Sequence, residues 1–131
     1  MQQPFPMKLE VVMLPVRNVD RAKAFYAEQI GFHVDHDVQS SPTMRVVQLT
    51  PPGSGCSVVI GTGMAPLEQM PPGSIRGLHL VVPDVAAVRN LLISRGVAAG
   101  DIIEYPGGFK FSGFSDPDGN TWVLQEIPPG R

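Results

Sequence analysis

Cysteine is nearly absent. Cys56 stands alone among 131 residues, which excludes an internal disulfide and leaves no partner thiol for a cysteine-based zinc site. Charge of one sign is also scarce: twelve acidic residues against ten basic ones give a net charge of −2. No run of lysine and arginine offers a footprint for nucleic acid or for a membrane surface. Long apolar runs are missing too, and the first residues, MQQPFPMKLE, contain no basic segment leading into an apolar one. These absences predict a soluble, cytoplasmic protein with neither nucleic acid nor membrane as partner. What remains is ordinary for a chain of this length, because 43% hydrophobic residues suffice for one domain with its own core.

Glycine and proline are plentiful, fourteen of each, and they cluster rather than spread. They sit in PPGSG at 51, PPGS at 71, YPGG at 105, DPDG at 116 and PPG at 128, where they act as punctuation. Between these breaks lie short β-branched runs, VVMLPV, MRVVQLT, CSVVI, LHLVV, FKFSGF and TWVLQEI, which read as strands.

Two helices interrupt the strands. Asn18 is placed to cap the first, with Asp20 in its first turn, an apolar stripe of Ala22, Phe25, Tyr26 and Ile30, and Gly31 as its stop. Asp84 is placed to cap the second, with Val85, Val88, Leu91 and Leu92 as the stripe and Gly96 as the stop. Around each helix the order is the same: a strand, a polar cap, a helix, a glycine, then three strands with a tight loop before the last. This is βαβββ twice, an internal repeat that outweighs any single motif. It divides the chain into a first module at about 8–61, a connector at about 62–75 and a second module at about 76–127. The G-x-G within the connector lacks the third glycine and helix pattern of a dinucleotide site.

The stretch FSDPDGNTWVLQEI, residues 114–127, is the densest in acidic groups. Asp116, Asp118 and Asn120 have the alternate spacing of a calcium loop. The sixth and twelfth positions, which need glycine and glutamate, hold Thr121 and Ile127. Asp-Pro-Asp-Gly reads instead as a turn, with proline presetting φ and glycine taking the left-handed position that returns the chain as a strand.

The chain resembles the vicinal oxygen chelate superfamily, which includes the glyoxalase and bleomycin-resistance fold. The resemblance is carried by VMLPVRNVDRAKAFYAEQIGF at 12–32, GLHLVVPDVAAVRNLLISRGV at 77–97 and FSDPDGNTWVLQE at 114–126. It implies an α+β fold in which two βαβββ modules form a curved mixed sheet around a cavity. In many members a divalent metal sits there, with one ligand from each of four strands. Counted from the helix caps and the turn glycines, those four positions fall on Val11, Leu78, Val59 and Val123. A divalent cation needs carboxylate oxygen, imidazole nitrogen or thiolate, so no metal ligand is expected at any of them. His79, one residue along, is expected to face the helix layer, because neighbours in a strand point to opposite sides. By the same alternation His36 is separated from His33, Asp35 and Asp37, and Glu126 is turned away from the cavity. A displaced ligand register would instead make His36, His79 or Glu104 ligand candidates for a divalent metal.

Strand parity then predicts a cavity lined by Val11, Met13, Val59, Leu78, Leu80 and Val123, with Phe111 and Tyr105 added from the last hairpins and Gln125 as its polar group. An apolar concavity with few polar groups is the general form of a small-molecule site. The expectation is metal-independent binding of a small hydrophobic or aromatic ligand without any cofactor, by what the resemblance implies is a homodimer whose cavities are completed across the interface. The alternative is a lyase, isomerase or dioxygenase, with His36, Glu104 and Tyr105 as candidate acid–base residues.

Overall fold

The repeat is present in the computed structural model, which describes residues 4–129. Module one runs β1 (Val11–Met13), α1 (Val19–Ala24, continued by a π-helical segment Phe25–Ile30), β2 (His33–Gln39), β3 (Arg45–Thr50) and β4 (Ser57–Thr62). After a short connecting helix, α2 (Ala65–Glu68), module two runs β5 (Leu78–Val81), α3 (Val85–Ser94), β6 (Ile103–Tyr105), β7 (Phe109–Ser115) and β8 (Thr121–Glu126). Each module forms a four-stranded mixed sheet, ordered β1-β4-β3-β2 and β5-β8-β7-β6. In both, the first strand pairs in parallel with the last and the other pairings are antiparallel. The fold is α+β. No helix among the described residues is long and apolar enough to cross a membrane.

The caps act as the sequence predicts. Asn18 Oδ1 accepts the Arg21 N–H at 3.0 Å, and Asp84 Oδ1 accepts the Ala87 N–H at 3.1 Å, each satisfying a donor that the first helical turn leaves open. Glu126 Oε1 accepts the Val85 N–H at 2.9 Å, which fastens the start of α3 to β8. The first helix ends where Gly31 takes φ 97° and both the Gly31 and Phe32 N–H groups donate to the Tyr26 carbonyl. The α3 stripe needs one correction: Val85 and Leu92 are buried, while Leu91 is exposed.

One core serves both modules. Leu14, Tyr26, Phe32, Val47, Leu49, Val58 and Ile60 of the first half join Val85, Leu92, Phe114, Trp122 and Leu124 of the second. Tyr26 packs against Trp122 with ring centroids 5.7 Å apart, and Phe32 against the same indole at 5.6 Å. The faces of the two sheets that carry none of these residues are therefore directed away from the shared core. These are the open faces of the two sheets.

A charged cluster ties α1 to the far strands of the first sheet. Asp37 on β2 accepts from Lys23 Nζ at 2.8 Å and from Arg45 Nε and Nη2 at 2.9 and 2.8 Å, while Arg45 Nη1 reaches Asp20 at 2.7 Å. The Arg45 and Lys23 hydrogen bonds hold the Asp37 carboxyl well below the usual carboxylate range. In the unfolded chain this group protonates near pH 4, so below that pH the unfolded state binds the extra proton and stability falls with pH. Replacing Asp37 with Asn is expected to flatten the decline in urea midpoint between roughly pH 5 and 2. A variant whose profile parallels that of the parent would show that the cluster contributes nothing to acid lability.

Candidate functional site

Register decides what each open face presents. In the second sheet His79 pairs with Val123, Val81 with Gln125, Gly113 with Val123, Phe111 with Gln125 and with Ile103, and Tyr105 with Phe109. These residues share the open face. Trp122, Leu124, Phe114 and Ser112 occupy the core side, in register with Leu78 and Leu80 of β5. The expectations that Leu78 and Leu80 line the concave side and that His79 looks at the helix layer are both overturned. Leu78 and Leu80 pack against the core, and the open-face residue lies five positions before Asp84 rather than six. Apolar alternation in Leu-His-Leu-Val carried the right signal, because two leucines gain more from burial than an imidazole does.

The open face of the second sheet holds a concavity of about 640 Å³, lined by His79, Ile103, Tyr105, Phe109, Phe111, Gly113 and Val123. Phe111 is its centre, meeting Tyr105 edge-on at 5.3 Å and His79 at 6.0 Å. Gly113 and Val123 keep the floor low, since neither carries a long side chain. The polar element is a pair: His79 Nδ1 and Gln125 Oε1 are 2.8 Å apart. Gln125 lies on the predicted side, but its amide is bonded to His79, and the imidazole is the group that lines the concavity. Tyr105, Phe111 and Val123 come together here. Ile103, Phe109 and His79 were not anticipated as lining residues, although Ile103 and Phe109 flank the YPGG turn with the alternation of a hairpin.

The other candidates lie elsewhere. Val11, Met13 and Val59 are on the open face of the first sheet. Glu104 is in register with Lys110, which places it on the side of β6 opposite Tyr105. His36 is on the first sheet, so His36, Glu104 and Tyr105 do not converge.

The first sheet's open face is more polar. Ser57, Gln48 and Thr50 lie there with His33 and His36. A β-bulge between Val34 and His36 overturns the predicted separation of His33 from His36, because the extra residue, Asp35, restarts the alternation. Asp35 accepts from Thr50 Oγ1 and, at 3.2 Å, from Gln48 Nε2; Thr50 Oγ1 and Ser57 Oγ are 2.6 Å apart. The Thr50 hydrogen bond foremost, helped by Gln48 and the two histidines, lowers the Asp35 carboxyl below its ordinary value.

A metal fits this donor set poorly. Among the open-face positions of the four strands β1, β4, β5 and β8, imidazole occurs once, at His79, and no carboxylate or thiolate accompanies it. No group of three His, Cys, Asp or Glu side chains among the described residues is arranged to hold an ion. The acidic turn is likewise committed to structure. Asp116 Oδ1 accepts the N–H groups of Asp118 and Asn120 at 2.9 and 3.0 Å, and Oδ2 accepts Tyr26 Oη–H and Asn120 Nδ2–H at 2.7 and 2.8 Å. Gly119 takes φ 100°, as the turn requires.

The family model described as Glyoxalase/Bleomycin resistance protein/Dioxygenase superfamily matches residues 8–124. No curated protein matches the sequence. Among solved structures, TnmS3, an antibiotic binding protein from Streptomyces sp. CB03234, is 34% identical with a TM-score of 0.80, covering 96% of this chain and 100% of its own. A glyoxalase/bleomycin resistance protein from the same organism is 37% identical with a TM-score of 0.73, covering 89% of this chain and 98% of its own. A member of the superfamily from Sphaerobacter thermophilus DSM 20745 is 30% identical with a TM-score of 0.79, covering 92% and 98%.

Proposed function

This chain belongs to the glyoxalase/bleomycin resistance protein/dioxygenase superfamily, and we propose that it binds a small, flat aromatic molecule without a metal cofactor. The observation carrying this reading is the concavity in which Tyr105, Phe109 and Phe111 present rings around a floor of Val123 and Gly113. Aromatic rings arranged edge-on around a shallow floor favour a flat partner that stacks or packs edge to face. The antibiotic-binding relative supports the same class of role.

The protein acts as a homodimer in this proposal. The concavity is built by the second module alone and is open on the side away from the core. A second copy that brings its first-module open face opposite would supply the missing wall, with Asp35, Gln48, Thr50 and Ser57 as polar partners for the ligand's rim. The two modules then contribute unlike halves, one aromatic and one polar, and a two-fold axis completes two identical cavities.

Titration calorimetry with 2-methoxynaphthalene tests the binding reading. Saturable binding is expected, with an affinity that does not change after dialysis against EDTA. Absence of saturation up to the solubility limit would overturn the ligand class, and loss of binding after chelation would overturn metal independence. Sedimentation velocity on the same samples should show a dimer; a monomer that binds with full affinity would remove the second copy from the cavity.

A further inference from the structure

We propose that His79 is the cavity's hydrogen-bond acceptor, and that it selects aromatic ligands bearing a ring hydroxyl or ring N–H over otherwise equal ligands without one. This rests on the binding reading above and names the chemistry it selects. Four observations lead to it. First, the concavity is otherwise apolar: the remaining side chains lining it are aliphatic or aromatic, and only the Tyr105 hydroxyl adds a second polar atom. Second, the imidazole lies in the floor row of the open face, beside Val123 and edge-on to Phe111, so a ring resting on Phe111 brings its edge to His79. Third, the Gln125 side-chain oxygen Oε1 is 2.8 Å from Nδ1.

With the proton on Nδ1, donated to Gln125 Oε1, Nε2 carries the lone pair. Nε2 has no partner among the described residues. The fourth observation is that Gln125 is itself anchored by strand pairing to Val81 and Phe111, with its backbone carbonyl accepting the Val82 N–H at 2.9 Å. The side chain therefore rises from a fixed point on a central strand. Gln125 is a positioning residue, since it does not line the concavity and acts on the ligand through His79. A neutral Nε2 acceptor rewards an O–H or N–H donor and gives nothing to an ether or a bare carbonyl. An ether oxygen placed there would face a lone pair.

The test compares 2-naphthol with 2-methoxynaphthalene, which share a ring system and differ in the donor. Each is titrated at pH 8 into the parent protein, His79→Leu, Gln125→Leu and Gln125→Glu. The quantity read is the ratio of the two dissociation constants, which cancels ring burial and any general loss of pocket integrity. Replacing His79 with Leu should shift the ratio about fivefold against the naphthol, the value of one net hydrogen bond. Gln125→Leu should shift it in the same direction by less, and Gln125→Glu should restore it by again accepting the Nδ1 proton. An unchanged ratio in His79→Leu overturns the proposal while leaving the binding reading intact. A shift against the methoxy compound would identify Nε2 as a donor and overturn it equally. Failure of the parent to bind either compound removes both readings.

Discussion

Replacing Asp116 with alanine is expected to lower the unfolding free energy by about 3–5 kcal/mol, the range reserved for buried polar networks that lose their centre. Asp116 is only 5% exposed and accepts four hydrogen bonds, two from backbone N–H groups in its own turn and two from Tyr26 and Asn120. Alanine would leave the buried Tyr26 hydroxyl with the Trp122 indole N–H to accept, at 2.8 Å, and nothing to donate to. Asn120, fully buried, would keep its bonds to the Pro15 carbonyl and from the Ile75 N–H but lose both that it donates to Asp116, from its backbone N–H and from Nδ2. Because Tyr26 belongs to module one and Asp116 to module two, the loss falls on the joint between the halves. Burial and the Asp116 carboxylate together push the Tyr26 hydroxyl far above the ordinary phenol range, as expected for a proton held between them.

A double-mutant cycle separates this network from simple loss of volume. Tyr26→Phe alone should cost about 1–2 kcal/mol, and in the Asp116→Ala background it should cost far less, because the bond is already gone. Urea denaturation of the four proteins reads the coupling. Additive losses would show that Asp116 acts only within its own turn, and the account of the module joint would fail.

Much of this fold is legible in the sequence because the devices that build it are local. Asn18, Asp84, Gly31 and the Asp-Pro-Asp-Gly turn each work through bonds to residues within a few positions, and the repeated order of elements is visible without any tertiary information. The calcium-like spacing at 116–120 is read correctly as a turn for the same reason. Its second role is not legible, since Tyr26 lies 90 residues away in sequence and reaches Asp116 only once both halves are packed.

The site was harder to read because facing in a strand turns on a single residue of register. Counting back from Asp84 by an offset of six placed Leu78 on the open face. The open-face residue in this structure is His79, five positions before the cap, and every side chain of β5 exchanges sides. The bulge at Asp35 has the same effect within β2: one unpaired residue brings His33 and His36 to a common face. A count along the chain cannot see either event. Burial preference could have caught the first, since it sets Leu78 and Leu80 inward and His79 outward, but it gives no warning of the second in a strand as polar as HVDHDVQ.

The same parity makes β7 the place where binding and folding can be tested against each other. Phe111 and Phe114 are three residues apart on one strand, and they face opposite ways. Phe111 is half-buried on the open face between Tyr105 and His79, whereas Phe114 is buried and stacks on Trp122 at 6.2 Å. Truncating Phe111 to alanine removes the ring on which a flat ligand rests and should weaken 2-methoxynaphthalene binding about 30-fold, as for a central aromatic anchor. Its unfolding free energy should fall by no more than about 1 kcal/mol, because that face is not packed against the core. Phe114→Ala should lose about 3–5 kcal/mol of stability through the cavity it leaves, yet bind the ligand within a few-fold of the parent at temperatures where it remains folded. Calorimetry and urea denaturation on the two variants give four numbers. If Phe111→Ala loses stability as heavily as Phe114→Ala while its affinity holds, the open face is a second core rather than a binding surface, and the proposed function falls with it.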